Sequence, residues 1–336
     1  MNLIVRLALG SVLAIATLSV APAASKKEHK PNVLKATSGA LDIVKVRDNF
    51  FVLVGDDSNT AVQFGNDGVL VVNTQSAAMA PKLLSAIKSL TSQPLRYIVN
   101  TNMLPPYTAG NIEITKTGHF IGWRGEVPFA DILAHENVLE RMSGAMGGSP
   151  TMDKAGWPVD TYYKGSMDLH FNNEAIQLLH APAAQTDGDS IVFFRGSDVI
   201  CTGGFFVPDA YPYFDPTIGG SFQGIIDALN RVIDLAIPDV NEEGGTMIVS
   251  GHGRITDEYD IVTYRDMLTI IRDRMADMIK RGLTLEQALK ERPSRDYDGI
   301  YGSDTGIWTT QNFLMAVYKD LKDRPAKPVG GGAKKQ

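Results

Sequence analysis

Short apolar runs with the composition of β-strands alternate with stretches of helical periodicity along most of this chain. The apolar runs are bounded by turns rich in Gly, Asp and Asn, which is typical of strands in a sheet. The predicted strands are 50–54, 61–64, 69–72, 97–101, 120–122, 169–171, 175–179, 190–194, 199–202 and 246–250. The predicted helices are 78–90, 134–142, 222–235, a segment after residue 257, a segment after residue 284, and 309–321. In each half of the chain strands come first and helices intervene. We therefore expect an α/β domain with two sheets packed face to face and helices outside.

The longest predicted helix begins after Asp257 and carries one apolar stripe. The members of the stripe are three or four positions apart: Ile261, Tyr264, Leu268, Ile271, Met275 and Met278. Gly282 is expected to end this helix, and Thr284 and Gln287 have the spacing of a capping box for the next one. Periodicity of this kind does not separate one α/β arrangement from another, so the fold has to be argued from motifs.

Two loop segments carry such motifs. Residues 100–111 read N-T-N-M-L-P-P-Y-T-A-G-N, and residues 180–190 read H-A-P-A-A-Q-T-D-G-D-S. Both resemble signature segments of the metallo-β-lactamase superfamily, in which the first reads N-T-H-x-H-x-D-H-T-x-G-N and the second ends in A-H-T-D-G-D-S. The resemblance implies a single domain over residues 36–322 with the metallo-β-lactamase fold, a four-layered αβ/βα sandwich in which two mixed sheets lie between helices. Residues 115–129 depart from the superfamily pattern and are expected to reshape the mouth of the cleft.

The side chains that bind zinc in that superfamily are mostly replaced in these segments. The resemblance places Asn102 and Leu104 at the first two histidines of the first segment. It places Pro106 at the aspartate and Tyr107 at the third histidine. Gln185 stands at the histidine of the second segment. None of these five positions keeps the residue type of the zinc site.

Three further segments extend the comparison. Residues 201–206 (C-T-G-G-F-F) resemble the strand end T-G-D-x-F and put Gly204 where the bridging carboxylate belongs. Residues 251–253 (G-H-G) match the last element of the superfamily and keep its histidine, His252. Residues 71–75 (V-V-N-T-Q) resemble V-V-D-T-Q, whose aspartate supports the metal site from behind the ligands; here it is Asn73. Of the seven positions that bind zinc in the superfamily, only position 252 keeps the superfamily's residue, as His252.

These replacements argue against a zinc site. A binuclear zinc centre needs several imidazole and carboxylate ligands and an open position for water. Leu104, Pro106 and Gly204 offer no donor atom, and one imidazole does not hold zinc at useful affinity. We therefore expect no zinc and no other cofactor. Without a dication, clustered carboxylates would repel one another and be poorly solvated, so their absence at positions 73, 106 and 204 describes a neutral pocket.

Three functions remain open. The first is a non-catalytic protein, a pseudoenzyme that binds a small molecule or a protein partner in its cleft. The second is a hydrolase of ester, thioester, lactone or β-lactam type with an altered or metal-free mechanism, in which His252 acts with Tyr107 or Cys201. The third is an inactive subunit paired with an active homologue. Tyr107 and Gln185 have two interpretations: they hydrogen-bond a ligand where zinc and water would lie, or they fill the vacated volume. His252 and Cys201 also have a structural interpretation, His252 as a loop histidine and Cys201 as a buried strand residue.

The two ends of the chain differ from the domain between them. Residues 1–23 have the pattern of a secretory signal peptide: Arg6, an apolar stretch over residues 7–20, and small residues Ala21 and Ala23 at the cleavage site. We expect export to a bacterial periplasm or secretion, with no membrane span left after cleavage. Residues 24–35 read as a flexible lead and residues 323–336 as a disordered tail.

Composition limits the partners and the chemistry of the chain. The net charge of −6 argues against nucleic acid as a partner, because phosphate binding needs a basic surface. Cys201 is the single cysteine among 336 residues, so neither an internal disulfide nor a Cys-rich zinc site can form. The sequence names neither a ligand nor an oligomeric state.

Overall fold

The computed structural model describes residues 32–35, 41–55, 58–122, 125–241 and 244–323. The predicted signal peptide (1–23), the first part of the predicted lead and residues 324–336 of the predicted tail lie outside the described residues, as do Trp123 and Arg124. Within the part of the chain that is described, the helices are too short or too polar to cross a membrane.

Strands of this part of the chain form two large sheets and one small hairpin. In chain order they are β1 (Asn32–Lys35), β2 (Asp42–Arg47), β3 (Phe50–Val54), β4 (Asn59–Gly65), β5 (Gly68–Val72), β6 (Leu95–Val99), β7 (Phe120–Gly122), β8 (Gly125–Val127), β9 (Asp131–His135), β10 (Asp160–Tyr162), β11 (Ser166–Phe171), β12 (Glu174–Ala181), β13 (Asp189–Phe194), β14 (Val199–Gly203) and β15 (Met247–Ser250). The first sheet has the order β1-β2-β3-β4-β5-β6-β9-β10, and the second has the order β11-β12-β13-β14-β15. Both sheets are mixed, because β5, β6, β9 and β10 are parallel neighbours in the first and β14 and β15 in the second.

The helices of the described residues lie between the strands and after the last one. In chain order they are α1 (Ala80–Leu90), α2 (Pro105–Thr108), α3 (Asn111–Thr115), α4 (Glu136–Ser143), α5 (Phe222–Leu235), α6 (Glu258–Lys280), α7 (Leu285–Lys290), α8 (Asp298–Tyr301) and α9 (Thr310–Asp323). Single 3-10 turns occur at Ala77–Met79, Lys154–Gly156 and Pro216–Ile218.

Among the described residues, three large apolar cores separate four layers, and a small fourth core lies beneath α4. Phe50 and Val52 of β3 face Ile176 of the second sheet in the core between the sheets. Phe51 of β3 points the other way, into the core beneath α1. Successive residues of β3 therefore enter opposite cores, which explains why this strand is apolar throughout rather than alternating. The third core packs α5, α6 and α9 on the outer face of the second sheet. The molecule is a four-layered αβ/βα sandwich, as the sequence predicts.

Two local assignments differ from those predicted, and a third is confirmed. Residues 131–135 form β9, so the helix predicted to begin at residue 134 begins at Glu136 instead. The backbone of β1 pairs with β2 inside the segment predicted as flexible lead, so regular structure starts before residue 36. The capping box predicted for α7 is present at Thr284 and Gln287.

The described residues of the stretch 115–129 do not lie at the cleft mouth, where the sequence placed them. Its hairpin, β7 and β8, is held at the start of β6, where the His119 amide donates to the Leu95 carbonyl at 2.8 Å. The Phe120 ring packs edge-on against Tyr97. The motif loop 100–111 follows the other end of β6, so the hairpin and the motif loops lie at opposite ends of the first sheet.

Candidate functional site

The motif segments come together because parallel strands end at the same edge of a sheet. Asn73 follows β5 and residues 100–102 follow β6, its parallel neighbour. Gly204 and His252 follow β14 and β15, which are parallel in the second sheet. Backbone hydrogen bonds join the two edges. The Ser190 amide donates to the Thr101 carbonyl, and the Asn59 amide donates to the Gly251 carbonyl, both at 2.8 Å. The residues that stand at the zinc-ligand positions therefore share one end of the sandwich.

Tyr107 and His252 are in direct contact at this end. The Tyr107 hydroxyl lies 2.7 Å from His252 Nε2, and the two rings meet edge to face with centroids 5.5 Å apart. Tyr107 is 1% exposed, whereas His252 is half-buried. Burial, with a smaller contribution from the Asp189 charge, raises the pKa of Tyr107 far above its ordinary value. The phenol therefore stays protonated and serves as a hydrogen-bonding group.

Gly204 gives Tyr107 and Gln185 the space they occupy. A Cβ at position 204 would lie 2.1 Å from the Tyr107 hydroxyl oxygen and 2.3 Å from Gln185 Oε1. On the other side of the ring, a Cβ at Gly251 would lie 2.8 Å from Tyr107 Cε1. Because real Cβ atoms do not approach this closely, the absence of a side chain at both positions is a condition for the Tyr107 conformation. Of the two interpretations of Tyr107 and Gln185, the geometry favours filling of the vacated volume.

Asn102 connects the two motif loops through its amide. Its Nδ2 donates to Gln185 Oε1 at 2.9 Å and to Asp189 Oδ1 at 3.0 Å. Its Oδ1 accepts from the Leu104 amide at 2.9 Å. Asn102 is fully buried, so these bonds satisfy a polar group that would otherwise be costly to bury.

Asp189 is the buried carboxylate of this network. Its Oδ2 accepts from the Thr186 amide and, at 2.9 Å, from the Thr186 hydroxyl, which closes a tight turn over residues 186–189. Burial raises the pKa of Asp189 to about 7, although the hydrogen bonds from Asn102 and Thr186 act in the opposite direction. The network thus contains a buried carboxyl group that is only partly ionised near neutral pH.

Asn73 supports the first motif loop from behind. Its Oδ1 accepts from the Thr101 amide at 2.9 Å and from the Thr101 hydroxyl at 3.0 Å. Its backbone has φ 66°, in the left-handed region that asparagine tolerates better than most residues. The amide performs this hydrogen bonding without a formal charge.

Leu104 and Pro106 shape the loop but bring no donor side chain to the site. Leu104 precedes α2, and the Pro106 carbonyl accepts from the Ser58 hydroxyl at 2.7 Å. Taken together, the ligand positions hold two amides, a phenol and one imidazole. Among the described residues, no three His, Cys, Asp or Glu side chains are placed to share a metal ion. This donor set does not fit zinc.

A pair of histidines next to the site was not recognised from the sequence as a unit. The rings of His135 and His180 are stacked with centroids 3.7 Å apart and 11° between their planes. His135 ends β9 and caps α4, while His180 lies in β12. The adjoining Asp187 carboxylate accepts two bonds from Arg141, at 2.6 and 2.7 Å. Because the two histidines are distant in the sequence, no motif spacing links them.

Cys201 and the aromatic loop that follows Gly204 are part of apolar cores. Cys201 is buried in the core between the sheets, and burial raises the pKa of its thiol far above the ordinary value. It is therefore inert rather than a partner for His252. The aromatic loop 211–214 packs against α5, α8 and α9, and its Tyr211 ring stacks on Phe313 of α9 with centroids 4.4 Å apart.

With two facing mixed sheets, helices outside them and the motif loops at one end, this chain has the fold of the metallo-β-lactamases. Its structure is similar to that of the stereoselective inverting sec-alkylsulfatase Pisa1 from Pseudomonas sp., with TM-score 0.59 and 14% sequence identity over 82% of this chain and 49% of that chain. It is also similar to the DIM-1 metallo-β-lactamase, with TM-score 0.51 and 15% identity over 71% of this chain and 99% of that chain. The chain spans about half the length of the alkylsulfatase. No protein-family model matches the chain, and no protein of curated function does either. Identity this low shows a common fold alone.

Proposed function

We propose that this chain is a non-catalytic binding protein, a pseudoenzyme on a metallo-β-lactamase scaffold, whose cleft takes a small molecule or a segment of a partner protein. The observation that carries the proposal is the packing of Tyr107 and Gln185 against Gly204, in the space that a side chain at position 204 would need. A zinc hydrolase depends on a metal with an open position for water. Beside Gly204 the space is filled by the Tyr107 hydroxyl and by Gln185 Oε1, which accepts a hydrogen bond from Asn102.

The hydrogen bonding of the site supports the same function. Asn102 bonds to both Gln185 and Asp189, and Tyr107 bonds to His252. A network whose members are satisfied within the protein holds its shape without a metal. Ligand contacts would then come from the rim, where His252 and Leu104 are half-buried and Pro105 is exposed.

Export is part of the proposal and rests on the signal-peptide pattern of residues 1–23. An exported protein of this kind would meet its ligand in the periplasm or outside the cell. Mass spectrometry of the chain recovered from the periplasmic fraction is expected to show a mature N-terminus at residue 24.

Metal analysis of the mature chain tests the absence of a zinc centre. The protein is loaded with excess zinc, dialysed, and analysed by plasma mass spectrometry. We expect far less than one zinc per chain, because the ligand positions supply one imidazole and no carboxylate. His119→Ala is the matched control, because the surface pair of His119 and Glu126 is a separate place where zinc can bind adventitiously. Near-stoichiometric zinc that survives dialysis in both proteins would rule the proposal out.

A second candidate, a metal-free hydrolase, is favoured by one contact. His252 Nε2 lies 2.7 Å from the Tyr107 hydroxyl, so the phenol can orient this half-buried imidazole. In this role His252 takes the proton of a water molecule that attacks an ester, thioester, lactone or β-lactam carbonyl. The buried Cys201 thiol has no part in it.

Substitution of His252 distinguishes the two candidates. The protein is assayed against ester, thioester, lactone, β-lactam and phosphoester substrates. If His252 is a general base, His252→Ala reduces kcat/KM by about 10²–10⁴, and Tyr107→Phe has a smaller effect because it removes an orienting bond alone. The exposed His170→Ala serves as control. Activity that persists in His252→Ala excludes this mechanism, and the absence of activity in the unmodified chain favours the binding protein.

A further inference from the structure

The histidine pair, His135 and His180, joins the two sheets beside the candidate site. His135 is 3% exposed and ends β9 in the first sheet, whereas His180 lies in β12 of the second. Their rings are stacked at 3.7 Å, and the Tyr162 ring meets His135 edge-on with centroids 5.0 Å apart. After β12 the chain enters the turn 182–188, which carries Gln185. The pair therefore connects α4 and β9 to the turn that closes the site.

Hydrogen bonds determine the protonation of both rings. The Asn137 amide donates to His135 Nδ1 at 3.3 Å, so this nitrogen is unprotonated and acts as the N-cap of α4. His180 Nε2 lies 2.8 Å from the Asp187 carbonyl oxygen, which can only accept, so Nε2 carries the proton there. Both observed bonds are compatible with neutral imidazoles. An added proton on His135 has to go to Nδ1, the atom that accepts the cap bond.

Protonation of His135 is unfavourable for three reasons. It removes the cap bond from Asn137, it puts a positive charge at the N-terminal, positive end of the α4 dipole, and it places that charge against a second imidazole. Burial and the neighbouring His180 lower the pKa of His135 to about 4, with the Asp187 charge acting in the opposite direction. The Asp187 carboxylate is already paired with Arg141.

The surrounding ionisable groups do not offset this cost. They are Asp187 and Asp189 on the turn and β13, Glu136 and Arg141 on α4, Tyr162 on β10, Lys164 before β11, and Asp227 and Arg231 on α5, which line a cavity together with His180. Burial raises the pKa of Asp189 to about 7, so this carboxyl is largely neutral before His135 gains a proton. Tyr162 hydrogen-bonds Ser190 at 2.7 Å, and burial raises the pKa of its phenol as well.

We propose that the histidine pair is an acid-sensitive closure of the candidate site: protonation separates the two rings, releases the start of α4 and the turn 182–188, and uncovers the pocket that Gln185 and Tyr107 fill. This regulation rests on the proposed binding function, because the pocket it opens is the proposed ligand site. The sign follows from linkage. A histidine whose folded pKa is lowered stabilises the closed form above its ordinary value of about 6.5, and that stability is lost as the pH falls towards 4.

Hydrogen exchange measured without any ligand tests the closure. At pH 5 we expect protection factors of amides in residues 183–189 and 136–140 to fall about tenfold or more relative to pH 7, while strands in the core between the sheets keep theirs. Trp157 packs on the core beneath α4, so its fluorescence should change over the same pH range. Because neither measurement uses a ligand, failure of this inference is distinct from failure of the binding function.

Two neutral substitutions provide the matched comparison. His135→Asn retains a good N-cap, and His180→Gln retains an N–H donor for the Asp187 carbonyl. The double variant should keep its protection at pH 5, whereas His170→Gln, which replaces an exposed histidine of β11, should behave as the unmodified chain does. The proposal is overturned if the double variant loses protection like the unmodified chain, or if the unmodified chain loses none. If the double variant does not fold, NMR titration of the unmodified chain decides: His135 must titrate together with the amides of residues 183–189.

Discussion

At the scale of single residues, the site is defined by which side chain is missing as much as by which is present. Gly204 lacks the carboxylate that the superfamily pattern has there, and the Tyr107 hydroxyl and Gln185 Oε1 occupy the space around it. Asn73 likewise keeps the hydrogen bonds of a carboxylate without its charge. These replacements are mutually dependent, because the Tyr107 conformation requires a glycine at 204.

Gly204→Ala tests this dependence. The added methyl group would collide with the Tyr107 hydroxyl and with Gln185, both of which are buried and hydrogen-bonded. We expect a loss of about 1–3 kcal/mol in the free energy of unfolding, the usual cost of overpacking, measured by urea denaturation. Gly299→Ala is the control, since a Cβ there meets nothing within 4 Å. Equal stability of the two variants would show that the space around Gly204 is not filled as described.

The residues of the site were predictable from motif positions, but their contacts were not. The sequence placed Asn102, Tyr107 and His252 at ligand positions, and the structure brings all three to one end of the sandwich. It did not predict that Tyr107 would bond His252, since that requires the side-chain directions of two loops 145 residues apart. It also missed the pair His135 and His180, because contacts across the sheets leave no spacing in the sequence.

At the scale of secondary-structure elements, helices with an N-cap residue and a long apolar stripe were predicted well. The predicted bounds of α5 match Phe222–Leu235, where the Ser221 hydroxyl accepts from the Gly224 amide. The boundary between β9 and α4 was wrong, because Ile132, Leu133 and Ala134 form a short apolar run that fits a buried strand as well as a helix. Tertiary pairing of β9 between β6 and β10 decides in favour of the strand.

At the scale of the whole molecule, the two sheets are joined at both ends by buried polar contacts. At the site end, Asn102 of the first sheet bonds Gln185 of the second, and Asn59 donates to the Ser250 carbonyl. At the far end, Gln63 Nε2 of β4 donates to Glu174 Oε1 of β12 at 3.0 Å. Apolar packing between the sheets is not directional, so these contacts define how one sheet is placed on the other.

Glu174→Ala tests the contact between Gln63 and Glu174, which joins the sheets at the end opposite the candidate site. The Glu174 carboxylate also accepts from the Ser197 hydroxyl at 2.7 Å and from the Gly196 and Ser197 amides, both at 2.9 Å. Its removal leaves several donors without their acceptor, and hydrogen bonds to a charged group contribute about 1.5–3 kcal/mol each. We expect the free energy of unfolding to fall by about 2–4 kcal/mol, whereas Glu286→Ala, an exposed residue of α7, should change it by less than about 0.5 kcal/mol.

The same variant separates stability from the state of the site. Glu174 lies at the opposite end of the sandwich from Tyr107 and His252, so loss of its bonds should lower the unfolding midpoint without altering the acid response of residues 183–189. Hydrogen exchange of that turn at pH 7 and pH 5, compared between Glu174→Ala and the unmodified chain under conditions where both are folded, measures this. If Glu174→Ala opened the turn at pH 7, the closure of the site would depend on the placement of the sheets as a whole rather than on the histidine pair beside it.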